Sequence, residues 1–181
     1  MLKWLMRRRI AAFERSFDYP MDYVRDMLEV SPRAVSAFGR ITALSSYCRD
    51  VPLSAFFAAK LVAARAEDCG PCTQLCVTMA ERAGVAPGQL RAVLAGDESA
   101  MSADTALGFR FAEAALAHDL RADALREEVL ARWGRHALVS LAFAIAASRV
   151  FPTVKYALGH GKACTRVVIG GSPMPVLRHA A

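Results

Sequence analysis

The chain predicts an all-α fold, and three observations carry that reading. Apolar residues recur at helical spacing through most of the 181 residues, segment boundaries carry helix caps and breakers, and no strand–helix–strand alternation interrupts the pattern. A chain of this length with 55% hydrophobic residues encloses one core and folds without cross-links. The expectation is a single-domain helical bundle of about eight or nine helices.

Each element has its own signal. Leu2, Leu5, Met6, Ile10, Phe13 and Phe17 fall on one face opposite Arg7, Arg8 and Arg15, which makes residues 2–17 a basic amphipathic helix. Asp18-Tyr19-Pro20 opens a second helix to about Val30, and Ser31-Pro32, a cap followed by proline at the first helical position, opens a third to about Tyr47. An Ala-rich helix starts after Asp50-Val51-Pro52. The next runs from about Pro71 to Ala83, ahead of Gly84, and Pro87 begins a short one that ends at Gly96. Ser102 caps the helix Ala103–Ala117; another runs from about Ala122 to Trp133-Gly134, and the last from His136 towards Gly159, with a kink expected near Ser148 from Pro152. Past Gly161 the residues Thr165–Ile169 suit an edge strand, but Gly170-Gly171, Pro173 and Pro175 favour a tail over a sheet. The organisation is an N-terminal helical segment (1–50) packing on the core, a helical core (51–161) and a C-terminal tail (162–181).

Charge is divided along the chain. Residues 1–15 carry +4, residues 16–128 carry −5 and residues 129–181 carry +7, for a net +6. Without a nucleic-acid-binding module, this division is read as complementarity within a protomer or across an oligomer, and no nucleic-acid partner is expected. No signal-peptide apolar region follows the basic start, and the apolar run Ala137–Ser148 is shorter than the roughly 18 to 20 residues that span a bilayer, so it reads as a core helix. Five cysteines, three of them close together, suit a reducing compartment better than a secreted disulfide framework, and the expected location is cytoplasmic.

The chemistry concentrates at Cys69-Gly70-Pro71-Cys72. Two thiols three positions apart at a helix start can close a redox-active disulfide, and the helix dipole with its free N–H groups stabilises the thiolate. Cys76 shares a helix face with Cys72, but Cβ atoms four apart stand about 5 to 6 Å from each other, beyond the roughly 3.8 Å of a disulfide. Glu67 and Asp68 stand beside the first cysteine, as substitute proton acceptors or as charges favouring the helix start. Zinc or an iron–sulfur cluster would need a fourth ligand from Cys48, Cys164 or a distant histidine, so redox use ranks above metal binding and the reading requires no metal or cofactor. Among the histidines, His160 after the long helix is the one to check.

In these residues, and in Met79–Leu90 with Phe109–Glu113 and the long apolar helix, residues 50–160 resemble the alkyl hydroperoxidase D-like branch of the carboxymuconolactone decarboxylase superfamily. The resemblance implies an all-helical oligomer whose CxxC members act as thiol-dependent peroxidases or disulfide reductases. It further implies Cys72 as the attacking thiol and Cys69 as its resolving partner. The family's proton relay uses a glutamate twelve residues before the first cysteine and a histidine four after the second; here those places hold Phe57 and Cys76. The function expected is therefore a thiol oxidoreductase for disulfide exchange or peroxide reduction, with Cys69, Cys72, Cys76 and Glu67 as its site residues. Its partners are a peroxide or disulfide, an external dithiol reductant and further copies of the chain. The alternative is a non-catalytic redox-sensing or assembly protein. Burying the stripe of residues 2–17 is expected to drive homo-oligomer packing; contact with a membrane surface is the second reading of the same helix.

Overall fold

The computed structural model describes residues 2–161 and 166–175. Its helices are α1 (Leu2–Phe17), α2 (Asp22–Val30), α3 (Pro32–Gly39), α4 (Ile41–Ser46), α5 (Leu53–Ala66), α6 (Gly70–Arg82), α7 (Pro87–Ala95), α8 (Ala103–Ala117) and α9 (Arg121–Ala157), with a 3₁₀ turn at Glu98–Ala100. The only sheet among the described residues is the two-stranded hairpin β1 (Arg166–Ile169) and β2 (Ser172–Pro175). The all-α expectation holds.

Local signals work as their chemistry dictates. Ser31 and Ser102 accept from the N–H groups of Ala34 and Thr105, each three residues on, and Gly96 ends α7 in the left-handed conformation at φ 68°. One boundary differs from the sequence reading: the third helix divides at Arg40 into α3 and α4. The expected stop at Gly134 holds, because this residue leaves helical dihedrals (φ 81°, ψ −175°) and α9 is two helical halves meeting at a kink there. Pro152 sits inside the second half, and the helix continues through it to Ala157. Helix α9 is long and apolar enough to cross a membrane by length and composition, but it packs in the core against α5, α4 and α8.

The centre of the bundle is α5, buried without interruption from Ala55 to Arg65 and flanked by α6, α7, α8 and α9. Alanines keep its surface thin enough for α8 to lie directly on its backbone. At Gly108 of α8, an added Cβ would stand 2.4 Å from the Ala55 carbonyl oxygen, so only glycine fits there. Two apolar clusters result. The larger joins α5 to α9 with Val77, Leu90, Leu107 and Leu141 at its heart; the smaller gathers Ile10, Tyr19, Tyr23, Val24 and Leu28 of the N-terminal segment over the start of α6.

The C-terminal segment corrects the sequence reading, because its described part is a paired hairpin and not a tail. Gly170 and Gly171 (φ 54° and 73°) form the two-residue turn with both φ positive that matches strand twist. Val167 and Ile169 alternate inward to full burial while Val168 faces out. Both prolines lie opposite residues, Val168 and Arg166, whose register marks non-hydrogen-bonded pairs: the Val168 N–H donates to Gln74 Oε1 and its carbonyl accepts from Gln74 Nε2. A proline's missing N–H therefore costs nothing in β2.

Candidate thiol site

Cys69 is the N-cap of α6 and Cys72 lies in its first turn, where Gly70 and Pro71 complete the start without needing intrahelical N–H partners. Asp68, at φ 47°, turns the chain into this cap. No disulfide links Cys48, Cys69, Cys72 or Cys76; Cys164 lies outside the described residues. Cys69 is wholly buried and Cys72 nearly so.

The thiols differ sharply in acidity. Cys69 is lowered to about 7, chiefly because the Cys72 thiol donates to its sulfur, with help from the Cys72 N–H and the positive charge of Lys155; burial and Asp68 act against it. That N–H falls short of a full capping hydrogen bond, so the thiol–thiol contact dominates. Cys72 is raised, first by donating to Cys69 and then by burial. Of the two, Cys69 is the thiol whose surroundings favour ionisation and Cys72 the one whose surroundings oppose it. The acidity order is opposite to the attacking and resolving roles that the family resemblance implies.

Three further residues, none singled out by the sequence reading, complete the surroundings. Tyr19 follows α1, and its hydroxyl stands 3.5 Å from Cys72 Sγ. Lys155 on α9 is buried, donates to the Tyr19 hydroxyl at 3.5 Å, and lies over the rings of Tyr19 and Tyr23 at 4.7 and 5.6 Å. Among the described residues no carboxylate pairs with it. A buried cation is costly unless an anion or π-faces compensate it; the two tyrosine rings lie against Lys155, and its positive charge is one of the influences that lower Cys69. Burial drives Tyr19 far above and Tyr23 to about 12, so both phenols stay protonated and can donate hydrogen bonds.

Access is set by the N-terminal segment. Met6, Ile10, Phe13 and Phe17 of α1, with Tyr23, Val24 and Leu28 of α2, form the apolar cover over Cys69 and Cys72. Tyr19 also lines a shallow surface depression of about 200 Å³ with Glu14, Asp18 and Pro20. The cover is fastened by Glu14 to Arg25, by Arg82 to the Ser16 carbonyl and the Phe17 ring, and by His160 to Asp26 at 2.9 Å. His160 thus clips α2 to the end of α9 rather than serving the cysteines; His179 lies outside the described residues.

Cys76 and Glu67 stand apart from the pair. Cys76 belongs to the larger core with Phe57, and full burial pushes it up to about 11. Near it, buried Lys60 donates to the Ser45 carbonyl at 2.8 Å and hydroxyl at 2.9 Å. Glu67 is held by Arg149 at 2.5 Å and by the Thr153 hydroxyl at 3.3 Å, tying the α5–α6 turn to α9. No three His, Cys, Asp or Glu side chains converge on a metal-binding arrangement among the described residues. Comparisons with protein-family models, curated proteins and solved structures find no match to this chain.

Proposed function

We propose that this protein is a thiol-dependent oxidoreductase of the alkyl hydroperoxidase D-like kind, acting through Cys69 and Cys72 on a disulfide or a peroxide. The single observation that carries the reading is geometric: Cys69 and Cys72 lie together at the start of α6, with the Tyr19 hydroxyl 3.5 Å from Cys72 Sγ and the buried Lys155, which has no carboxylate partner among the described residues, donating to that hydroxyl.

The cycle balances as follows. With a disulfide, the Cys69 thiolate attacks one sulfur, forming a mixed disulfide and expelling a thiolate that is protonated from the Cys72–Tyr19 hydrogen-bonded chain. Cys72, now deprotonated, attacks Cys69 sulfur and expels the second substrate thiolate, leaving a Cys69–Cys72 disulfide. With a hydroperoxide, Cys69 takes the terminal oxygen as sulfenic acid and the departing alkoxide takes the Cys72 proton to leave as an alcohol; the Cys72 thiolate then displaces the sulfenic oxygen as hydroxide, which a solvent proton converts to water, giving the same disulfide. An external dithiol supplies the two electrons that return it to the reduced state. Since Phe57 and Cys76 replace the family relay, Tyr19 and Lys155 carry the proton and charge functions here. A substrate reaches the pair only when α1 and α2 lift from it.

That burial supports a second reading, a redox sensor in which disulfide formation disturbs Tyr19 and releases the N-terminal cover without turnover. Multiple-turnover assays with lipoamide and with a hydroperoxide, each with excess dithiol, separate the two. An enzyme processes many equivalents and loses turnover in both Cys69→Ser and Cys72→Ser. A sensor oxidises once and then stops. Turnover that survives both substitutions overturns the thiol-pair reading.

A further inference from the structure

The inner face of α1 covers the thiols, while its outer face is composed for a different environment. Met6, Ile10, Phe13 and Phe17 turn inward. Leu5, which the sequence stripe groups with them, turns outward. On the outer face lie Trp4, Leu5, Arg8, Arg9, Ala12 and Arg15, spaced so that they recur along one side of the helix, all exposed. Trp4 and Leu5 retain 56% and 51% of their accessible surface, and Leu2 extends the patch at 60%. Large side chains so open at the end of a helix are unusual on a face that serves only solvent.

The charges decide what covers it. Glu14, the one acidic residue of α1, is turned away to bond Arg25 and the Met21 N–H. Lys3 and Arg7 point to the opposite side, to Glu29. Arg8, Arg9 and Arg15 make no ion pair among the described residues, and Arg8 lies over the Trp4 ring at 4.9 Å. The outer face is therefore apolar and cationic with no carboxylate on it. A second copy presenting this same face would bring arginines against arginines. An anionic bilayer, in contrast, accepts Trp and Leu at the headgroup–acyl boundary while arginine heads reach the phosphates.

We propose that the outer face of α1 docks on anionic phospholipid surfaces, parallel to the membrane plane, with Trp4 and Leu5 inserted and Arg8, Arg9 and Arg15 at the phosphates. The site is independent of the thiol chemistry, since none of these side chains belongs to the cover over Cys69 and Cys72.

The test uses the full chain with Trp133→Phe, which leaves Trp4 as the sole tryptophan, and vesicles of pure phosphatidylcholine or of phosphatidylcholine with phosphatidylglycerol. Sedimentation should show binding to the anionic vesicles alone, with a blue shift of Trp4 emission and release in high salt. Arg8→Gln with Arg9→Gln should weaken binding about thirty-fold, as expected for two basic groups at the surface, with the thermal midpoint unchanged. Trp4→Ala with Leu5→Ala should abolish insertion. Equal binding to neutral vesicles, no binding at all, or a blue shift that follows protein concentration without vesicles would overturn the proposal, the last by showing self-association.

Discussion

Replacing Cys72 with alanine isolates the thiol–thiol contact, the largest influence on Cys69. The unperturbed thiol value is 9.0 and the folded protein holds Cys69 at about 7. At pH 7 that difference separates a side chain about half ionised from one ionised to about one part in a hundred. Cys72→Ala removes the Sγ–H donor while leaving the N–H of residue 72 and Lys155, so Cys69 should rise above 8 and its thiolate fraction at pH 7 should fall about ten-fold. A more basic thiolate is intrinsically more nucleophilic, with a Brønsted slope of about 0.4–0.5, so the rate itself falls only about three-fold. Titration of thiolate absorbance near 240 nm is consequently the better assay, and it needs no reagent to enter the covered site. The expected result is a step near pH 7 in the wild type, moved above 8 in Cys72→Ala and missing in Cys69→Ser. Stability follows the same sign. A group whose folded pKa is depressed stabilises the fold above its unfolded value and loses that contribution as pH falls through the folded one, so Cys69 should add on the order of 1–3 kcal/mol between pH 7 and 9. Above 9, Cys72 and Cys76 oppose this, since both are held neutral by the fold. A step near 7 that persists in Cys69→Ser and vanishes in Cys72→Ser would refute the reasoning and restore Cys72 as the acidic thiol.

Two stability measurements probe the scaffold. Gly108→Ala pushes a methyl into the Ala55 carbonyl and should cost several kcal/mol in urea unfolding, whereas Gly88→Ala, with nothing within 4 Å of the new Cβ, should lie within about 1 kcal/mol of wild type; equal effects would disprove the α5–α8 contact. Ile169→Ala should cost about 2–4 kcal/mol because the side chain is fully buried in the larger cluster, and a negligible loss would show that the hairpin is not part of the core.

Much of this architecture is legible in the chain because the signals are local. Ser31-Pro32, Ser102, Gly96 and the CxxC itself each act within one helical turn, and each produces the boundary its chemistry implies. The hairpin was obscured because proline is normally excluded from strands; only the register, which puts Pro173 and Pro175 opposite non-hydrogen-bonded positions, shows why it is tolerated. Tyr19, Tyr23 and Lys155 were invisible for a different reason. They approach the thiols from 53 residues before Cys72 in the case of Tyr19, and Lys155 is 136 residues beyond Tyr19. No periodicity relates positions so far apart. One signal existed: Lys155 is buried on a helix whose other buried residues are small or apolar and carry no charge, and Lys60 is likewise buried in the Ala-rich α5. A lysine on an apolar face announces a buried partner, but not which one.

The backbone-to-backbone seat of Gly108 on Ala55 has a dynamic consequence. Helices seated this closely and buried on both sides of the contact belong to the most protected part of the fold, so α5 and α8 are expected to separate only with global unfolding. Their amides should exchange with solvent at the global rate. The segment α1–α2 is fastened instead by side chains, several of them at the surface, and it can open while the rest stays intact. Exposure of Cys69 is then a local equilibrium, separate from the one that fixes the melting temperature. Changes on the inner face of α1 act first on that local equilibrium, so two variants of similar thermal stability can differ widely in redox reactivity.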